Sequence, residues 1–185
     1  MIRIAQKHDI IRIVDIHRQS LPDDYLPRFG KQVLYSFYTT VWNDNPIILY
    51  DEKGDILGFA LVALDPINLK KIFFCEHKSI LRKLFMHPGL WGQTLWLVLD
   101  RKSGRCYPEV SFIAVEQGHR GRGVGSELLD WICRFLEERG FNSLYVKTER
   151  ANERTNKFYK KNKFEMVSVE KRFNKAFNLY VREFV

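Results

Sequence analysis

The residues best placed to do chemistry here are glycines and arginines. Gly118-His-Arg-Gly-Arg-Gly-Val-Gly125 holds four glycines in eight residues. Before it, Val110-Ser-Phe-Ile-Ala-Val115 is short, apolar and partly β-branched, the pattern of a buried strand. After it, Val124, Leu128, Ile132, Phe135 and Leu136 fall at helical spacing. Gly140 follows Arg139 and stops that helix, with Phe141 placed to pack back on it. A strand, a glycine turn and a helix in this order leave several backbone N–H groups unpaired at the helix start. Together with the helix dipole they make an anion site. Gly121, Gly123 and Gly125 present no side chain to block a phosphate, and Arg120 and Arg122 add positive charge.

Two familiar phosphate loops fit this pattern only in part. A Walker-type loop needs Gly-x4-Gly-Lys-Ser/Thr. Gly118 and Gly123 have that separation, but Val124 and Gly125 stand where Lys and Ser/Thr belong. A dinucleotide fingerprint, Gly-x-Gly-x-x-Gly, is met loosely by Gly121, Gly123 and Ser126. Glu149 then ends the next strand where a ribose-binding acid would sit. Against it, Glu116 to Arg120 is long for that tight turn, and only one further strand–helix unit of this kind follows.

A third reading is a resemblance. Arg120-x-x-Gly123-x-Gly125, after an apolar strand and opening an amphipathic helix, resembles the acetyl-CoA loop of the GNAT N-acetyltransferases, Gln/Arg-x-x-Gly-x-Gly/Ala. Asn152-Glu-Arg-Thr-Asn-Lys-Phe-Tyr159-Lys-Lys-Asn-Lys-Phe164 is similar to that family's Asn…Phe/Leu-Tyr…Gly-Phe segment. One position departs: Lys163 stands where the family usually has Gly. The likeness covers roughly the C-terminal half. It implies acetyl-CoA as cosubstrate and no metal. It also implies an α/β (α+β, mixed-sheet) acyl-CoA N-acyltransferase fold with a helical insertion before the coenzyme strand.

By position, the coenzyme would be held by Ile113, Ala114 and Val115 of the strand, and by Arg120, Gly121, Arg122, Gly123, Val124, Gly125 and Ser126 of the turn. Asn152 would contact it or cap the next helix. Thioester aminolysis needs a deprotonated amine, close positioning, a stabilised oxyanion and a protonated leaving thiolate. Tyr159 matches the family tyrosine that donates to the departing sulfur, a role suited to a side chain protonated at neutral pH. Glu109, at the start of the coenzyme strand, is the chosen base, and Glu116 the second choice.

These residues need elements to position them. Ile2 to Ile4 reads as a short strand. Asp9 is an N-cap candidate for a helix with Ile10, Ile13, Val14 and His17 on one side. The lone His17 reads as a packed or surface histidine. Leu21-Pro-Asp-Asp-Tyr-Leu-Pro27 is an irregular loop, and a second helix follows over 31–42. In GNAT-like folds this region helps line the acceptor pocket, which makes Asp23, Asp24 and Tyr25 candidate amine contacts. Pro46 to Tyr50 and Ile56 to Val62 form a hairpin about a turn containing Gly54.

Residues 66–105 form an insertion rich in Leu, Phe, Trp and Lys, read as a helical pair. It could be a lid over the acceptor, a packing or homodimer contact, or, least favoured, a membrane contact. Ser143 to Thr148 is a strand, and Phe164 to Val169 with Ala176 to Val185 a closing hairpin.

The chain has 185 residues, 45% hydrophobic and 28% charged, the size of one domain. It is read as a single domain, 1–185. No apolar run is long enough to span a membrane, and the N-terminal residues lack a signal-peptide pattern. Cys75, Cys106 and Cys133 are scattered, as reduced thiols of a cytoplasmic protein would be. The net charge of +8 is spread along the chain, suiting a phosphorylated coenzyme better than nucleic acid. The expected activity is an N-acetyltransferase acting on a small-molecule amine such as an amino sugar. Protein N-terminal or lysine acetylation, and a non-catalytic acyl-CoA-binding module, are the alternatives.

Overall fold

The computed structural model describes residues 1–22, 24–65, 67, 76–86, 107–172 and 175–184. Asp23 and most of the 66–105 insertion lie outside the described residues.

In chain order the elements are β1 (Ile2–Ile4), α1 (Ile10–Ser20), α2 (Lys31–Val41), β2 (Ile47–Glu52), β3 (Asp55–Ala63) and α3 (His77–Met86). Then come β4 (Glu109–Val115), α4 (Val124–Glu137), β5 (Ser143–Glu149), α5 (Glu153–Lys161), β6 (Glu165–Arg172) and β7 (Lys175–Glu183). The strands make one sheet in the order β1-β2-β3-β4-β5-β7-β6. Every neighbouring pair is antiparallel except β4 with β5. One parallel pair in seven strands is not a doubly wound sheet, so the dinucleotide reading loses its scaffold.

Helices cover both faces. On one side α1 and α2 pack on Ile47, Leu49, Phe59, Leu61 and Ala114. On the other, α4 and α5 pack on Ile48, Ala60, Val62, Val110 and Val146. Successive residues of β3 therefore enter opposite cores, which is why that strand is a nearly unbroken apolar run rather than an alternating one. The β2–β3 hairpin closes on two residues, Lys53 and Gly54, both at positive φ (55° and 94°). The sequence assigned that conformation to Gly54 alone and gave the loop too many residues. The Asp51 carboxylate accepts the Gly54 N–H at 2.8 Å and steadies the turn.

Asp9 is not a side-chain cap of α1. Its buried carboxylate is held by Arg3 through two hydrogen bonds, at 2.7 and 2.9 Å, and by the Gln6 N–H at 2.8 Å. Arg3 also reaches Asp51, so one guanidinium ties β1 to β2 and to the start of α1. On β7, Phe177, Leu179 and Val181 share a face as expected, but the face covered by helices is that of Tyr180. Of the inserted helical pair, α3 is described. Its Ile80 and Leu84 bury against Phe29 and Val33, while Leu81 and Phe85 are exposed. The helix expected around Trp91 to Leu99 lies outside the described residues.

Candidate functional site

The site begins where β4 and β5 part. They pair only at Glu109 with Tyr145 and Val110 with Val146. Beyond Val110, β4 keeps its antiparallel partner β3 but has no register with β5. The Glu116 N–H donates to the Leu57 carbonyl of β3 at 2.8 Å. By strand alternation, the backbone groups of Ala114 then face β3 and those of Ile113 and Val115 face the gap.

Arg120 closes the end of that gap. Its Nε donates to the Val115 carbonyl at 3.0 Å, and its Nη2 donates to the Ser20 carbonyl at 3.0 Å. The Ser20 hydroxyl donates to the same Val115 carbonyl at 3.1 Å. The Arg120 guanidinium therefore clamps the C-terminus of α1 to the end of β4, whereas its type and place suggested a phosphate ligand.

Next the chain makes its glycine turn. Gly121 and Gly123 have φ of 81° and 90°, a region costly for residues with a Cβ. Gly123 is the N-cap of α4. The N–H groups of Ser126 and Glu127 turn back to the Gly123 carbonyl, at 2.8 and 3.0 Å. Those of Val124 and Gly125 have no helical acceptor and remain for a ligand. Gly125 is needed for a different reason: a Cβ there would lie 3.1 Å from the Phe158 ring of α5. At its other end α4 finishes in a Schellman motif, with Gly140 N–H to Glu137 and Phe141 N–H to Leu136.

These parts enclose a cleft of about 390 Å³. Its lining includes Ile113, Ala114, Val115, Arg120, Gly121, Gly123, Val124, Gly125, Ser126 and Asn152. Arg122 is not among the lining residues, although the sequence grouped it with them. The structure adds residues that sequence reasoning missed. Arg154, Phe158 and Lys161 come from α5, His119 from the turn before α4, and Ser20 and Leu21 from the end of α1. Arg154, Phe158 and Lys161 sit at one-helix-face spacing, which was a readable signal. Ser20 is about a hundred residues away along the chain, and nothing local points to it. Among the described lining residues there are cations but no carboxylate. That donor set fits a polyphosphate chain.

Asn152 caps α5, its Oδ1 accepting the Thr155 N–H at 3.1 Å. The buried Asn156 holds that helix to the sheet. Its amide donates to the carbonyls of Glu149, Arg150 and Asn152, while its oxygen accepts from Asn178 and Tyr180. Glu149 itself pairs with Lys175 at 2.7 Å rather than turning to the cleft, which removes the ribose-binding acid of the dinucleotide reading.

Tyr159 is buried, 4% exposed, among the rings of Phe158, Phe164 and Tyr180. It does not line the cleft; its neighbour Phe158 does. Burial, and then the charge of Glu109, push its hydroxyl well above the ordinary tyrosine value, so it keeps its proton at neutral pH. The two residues chosen for acid and base are thus brought within electrostatic reach of each other. Glu116 is engaged elsewhere, with Arg12 at 2.8 Å and His119 Nδ1 at 3.4 Å.

The acetyltransferase (GNAT) family model matches residues 96–164, the span that holds β4, the glycine turn, α4, β5 and α5. The chain carries a GNAT acetyltransferase segment there. Solved structures share the fold over the whole length of the chain. An N-acetyltransferase from Staphylococcus aureus Mu50 is 18% identical, with a TM-score of 0.63, covering 99% of this chain and 97% of that one. The ribosomal-protein-alanine N-acetyltransferase of Brucella melitensis is 15% identical, with a TM-score of 0.65, covering 100% and 99%. The acetyltransferase yncA of Salmonella typhimurium, solved with its cofactor acetyl-CoA, is 13% identical, with a TM-score of 0.61, covering 99% and 92%. A comparison with curated protein sequences returns no match. Among the described residues, no helix is long and apolar enough to cross a membrane.

Proposed function

We propose that this acetyltransferase moves the acetyl group of acetyl-CoA to a primary amine by direct attack, without a covalent enzyme intermediate. The observation that carries this is the opened β4–β5 gap leading to a cationic cleft over the glycine turn, with no carboxylate among its described lining residues. The Val124 and Gly125 N–H groups, with Arg154 and Lys161, hold the pyrophosphate end. The backbone edges of Ile113 and Val115 hold the pantetheine arm in the manner of an added strand. The Tyr159 hydroxyl, buried and outside the cleft lining, would have to be uncovered to give its proton to the departing thiolate. Glu109 takes the proton released by the amine, directly or through water. The chain acts as one domain, and a cytoplasmic setting suits a soluble thioester cosubstrate.

For the acceptor, a small-molecule amine such as an amino sugar is the first reading. A protein N-terminal amine is the second, favoured by the full-length likeness to the Brucella melitensis ribosomal-protein-alanine enzyme. The test is release of free CoA thiol from acetyl-CoA in the presence of glucosamine or of an alanine-terminated peptide. Turnover with either supports the function and chooses between the acceptors. Coenzyme binding with no turnover across a wide amine panel would leave an acyl-CoA-binding module instead.

A further inference from the structure

Where β4 parts from β5, the end of β5 loses a neighbour and must be held by something else. Its backbone groups alternate between the two sides. The Tyr145 N–H donates to the Pro108 carbonyl just ahead of β4, at 2.9 Å, and the Arg150 N–H to the Ala176 carbonyl of β7, at 2.8 Å. By that alternation the Glu149 carbonyl faces the side that β4 has left. It accepts the Asn152 N–H at 3.0 Å and the side-chain amide of Asn156 at 3.0 Å. The same Asn156 nitrogen lies 3.3 Å from the Arg150 carbonyl and 2.7 Å from the Asn152 carbonyl. One buried side chain of α5 thus gathers the whole turn that joins β5 to α5.

The direction of each bond in this network is fixed. Three carbonyls surround the Asn156 nitrogen, and carbonyls only accept, so that atom is the NH2. Its Oδ1 then faces Asn178 at 2.7 Å and the Tyr180 hydroxyl at 2.8 Å, and both must donate to it. All three side chains are buried. This orientation leaves Asn178 Oδ1 buried with no hydrogen-bond partner among the described residues, which is destabilising. Turning the Asn178 amide over would instead set its oxygen against that of Asn156. What the network secures is therefore a position. It draws the end of β5 onto β7, on the side away from β4.

We propose that Asn156 is the positioning residue that holds the end of β5 away from β4, and so keeps the slot between them open for the acyl-carrying arm of the coenzyme. This rests on the coenzyme reading above. It assigns the width of the slot to a side chain that is not among the cleft's lining residues.

The test compares two probes on the intact protein. CoA carries the arm, and adenosine 3′,5′-bisphosphate carries phosphates without it. Asn156→Leu keeps a branched side chain and removes its hydrogen bonds. Tyr159, packed against Phe164 and Tyr180, still anchors α5, so Arg154 and Lys161 stay at the phosphate end. Calorimetry is expected to show CoA binding weakened roughly tenfold, the scale of lost buried hydrogen bonds, and bisphosphate binding unchanged. Amide hydrogen exchange should quicken at Arg150 and not at Tyr145, because only the unsupported end of β5 is released. Tyr180→Phe removes one donor from Asn156 and keeps the ring; it should act the same way more weakly, and it carries the test if Asn156→Leu does not fold. Equal weakening of both probes, or faster exchange along all of β5, would show that the network only stabilises the fold and would overturn the assignment. Unchanged CoA affinity would overturn it as well. Wild-type protein that binds neither probe, with Arg150 exchange still dependent on Asn156, would sink the coenzyme reading and leave the β5 tether standing. Amine turnover with CoA affinity unchanged in Asn156→Leu would do the reverse.

Discussion

At the scale of single residues, two side chains make separable claims. Tyr159 is chemically suited to donate a proton, because burial and the nearby Glu109 keep it protonated. Tyr159→Phe keeps the ring packing against Phe164 and Tyr180, so the fold should survive. The expected outcome is a fall in kcat of roughly 10–10³-fold with the acetyl-CoA KM little changed. Steady-state kinetics under chemistry-limited conditions decide it, and an unaltered kcat removes Tyr159 from the mechanism. Asp9 makes a claim about stability. Arg3 holds its carboxyl below the usual aspartate range, so the folded state prefers it ionised. The stabilisation is complete above the unfolded value of about 3.9 and fades as pH falls through the lower folded value. Asp9→Asn is therefore expected to cost about 2 kcal/mol at pH 7, the scale of hydrogen bonds to a charged group. Urea melts of both proteins should converge as the pH drops below that range. A constant gap down to strong acid would show that the loss is not electrostatic.

At the scale of elements, the end of α5 shows how a family position can keep its geometry while losing its residue. The Lys163 N–H donates to Lys160 and the Phe164 N–H to Tyr159, the two bonds of a Schellman motif. The residue between them must be left-handed, and Lys163 is, with φ of 64°. A lysine there carries strain of about 1–2 kcal/mol that glycine would not, less what glycine's extra freedom costs in the unfolded chain. Lys163→Gly should therefore raise stability by about 0.5–1 kcal/mol while leaving kcat/KM unchanged, read from denaturant midpoints and initial rates. A destabilised variant would show that the lysine side chain contributes more than its backbone strain costs.

At the scale of the whole molecule, the cleft joins pieces from four places: the end of α1, the end of β4, the glycine turn and one face of α5. A ligand spanning them should couple their stabilities. Acetyl-CoA at ~100 Kd is expected to stabilise the fold by about 2.7 kcal/mol. For a chain of this length that is a Tm rise of roughly 5–10 °C. Acetyl-CoA and CoA should both produce it and NAD should not, because the sheet and Glu149 offer no dinucleotide site. A shift with NAD alone would mean that the cleft has been assigned to the wrong phosphate ligand.

What the sequence determined by itself was local. The turn at Gly121 to Gly125, the face of α4 and the cap at Asn152 are short-range features whose physics lies within a few residues. They were legible, and so was the family segment they compose. The edges of elements were less so. The β2–β3 turn was drawn too wide because nothing local announces that Lys53 adopts positive φ. Tertiary structure decided the assignments that depend on distant partners. Arg120 became a clamp because the Ser20 carbonyl reaches it, and Asp9 became an ion-pair anchor because β1 delivers Arg3. His17, unremarkable in the sequence, acquired Tyr38 on one nitrogen and Asp24 opposite the other. A side chain's type limits what it can do, but burial and neighbours select among those choices, and here the neighbours came from across the sheet.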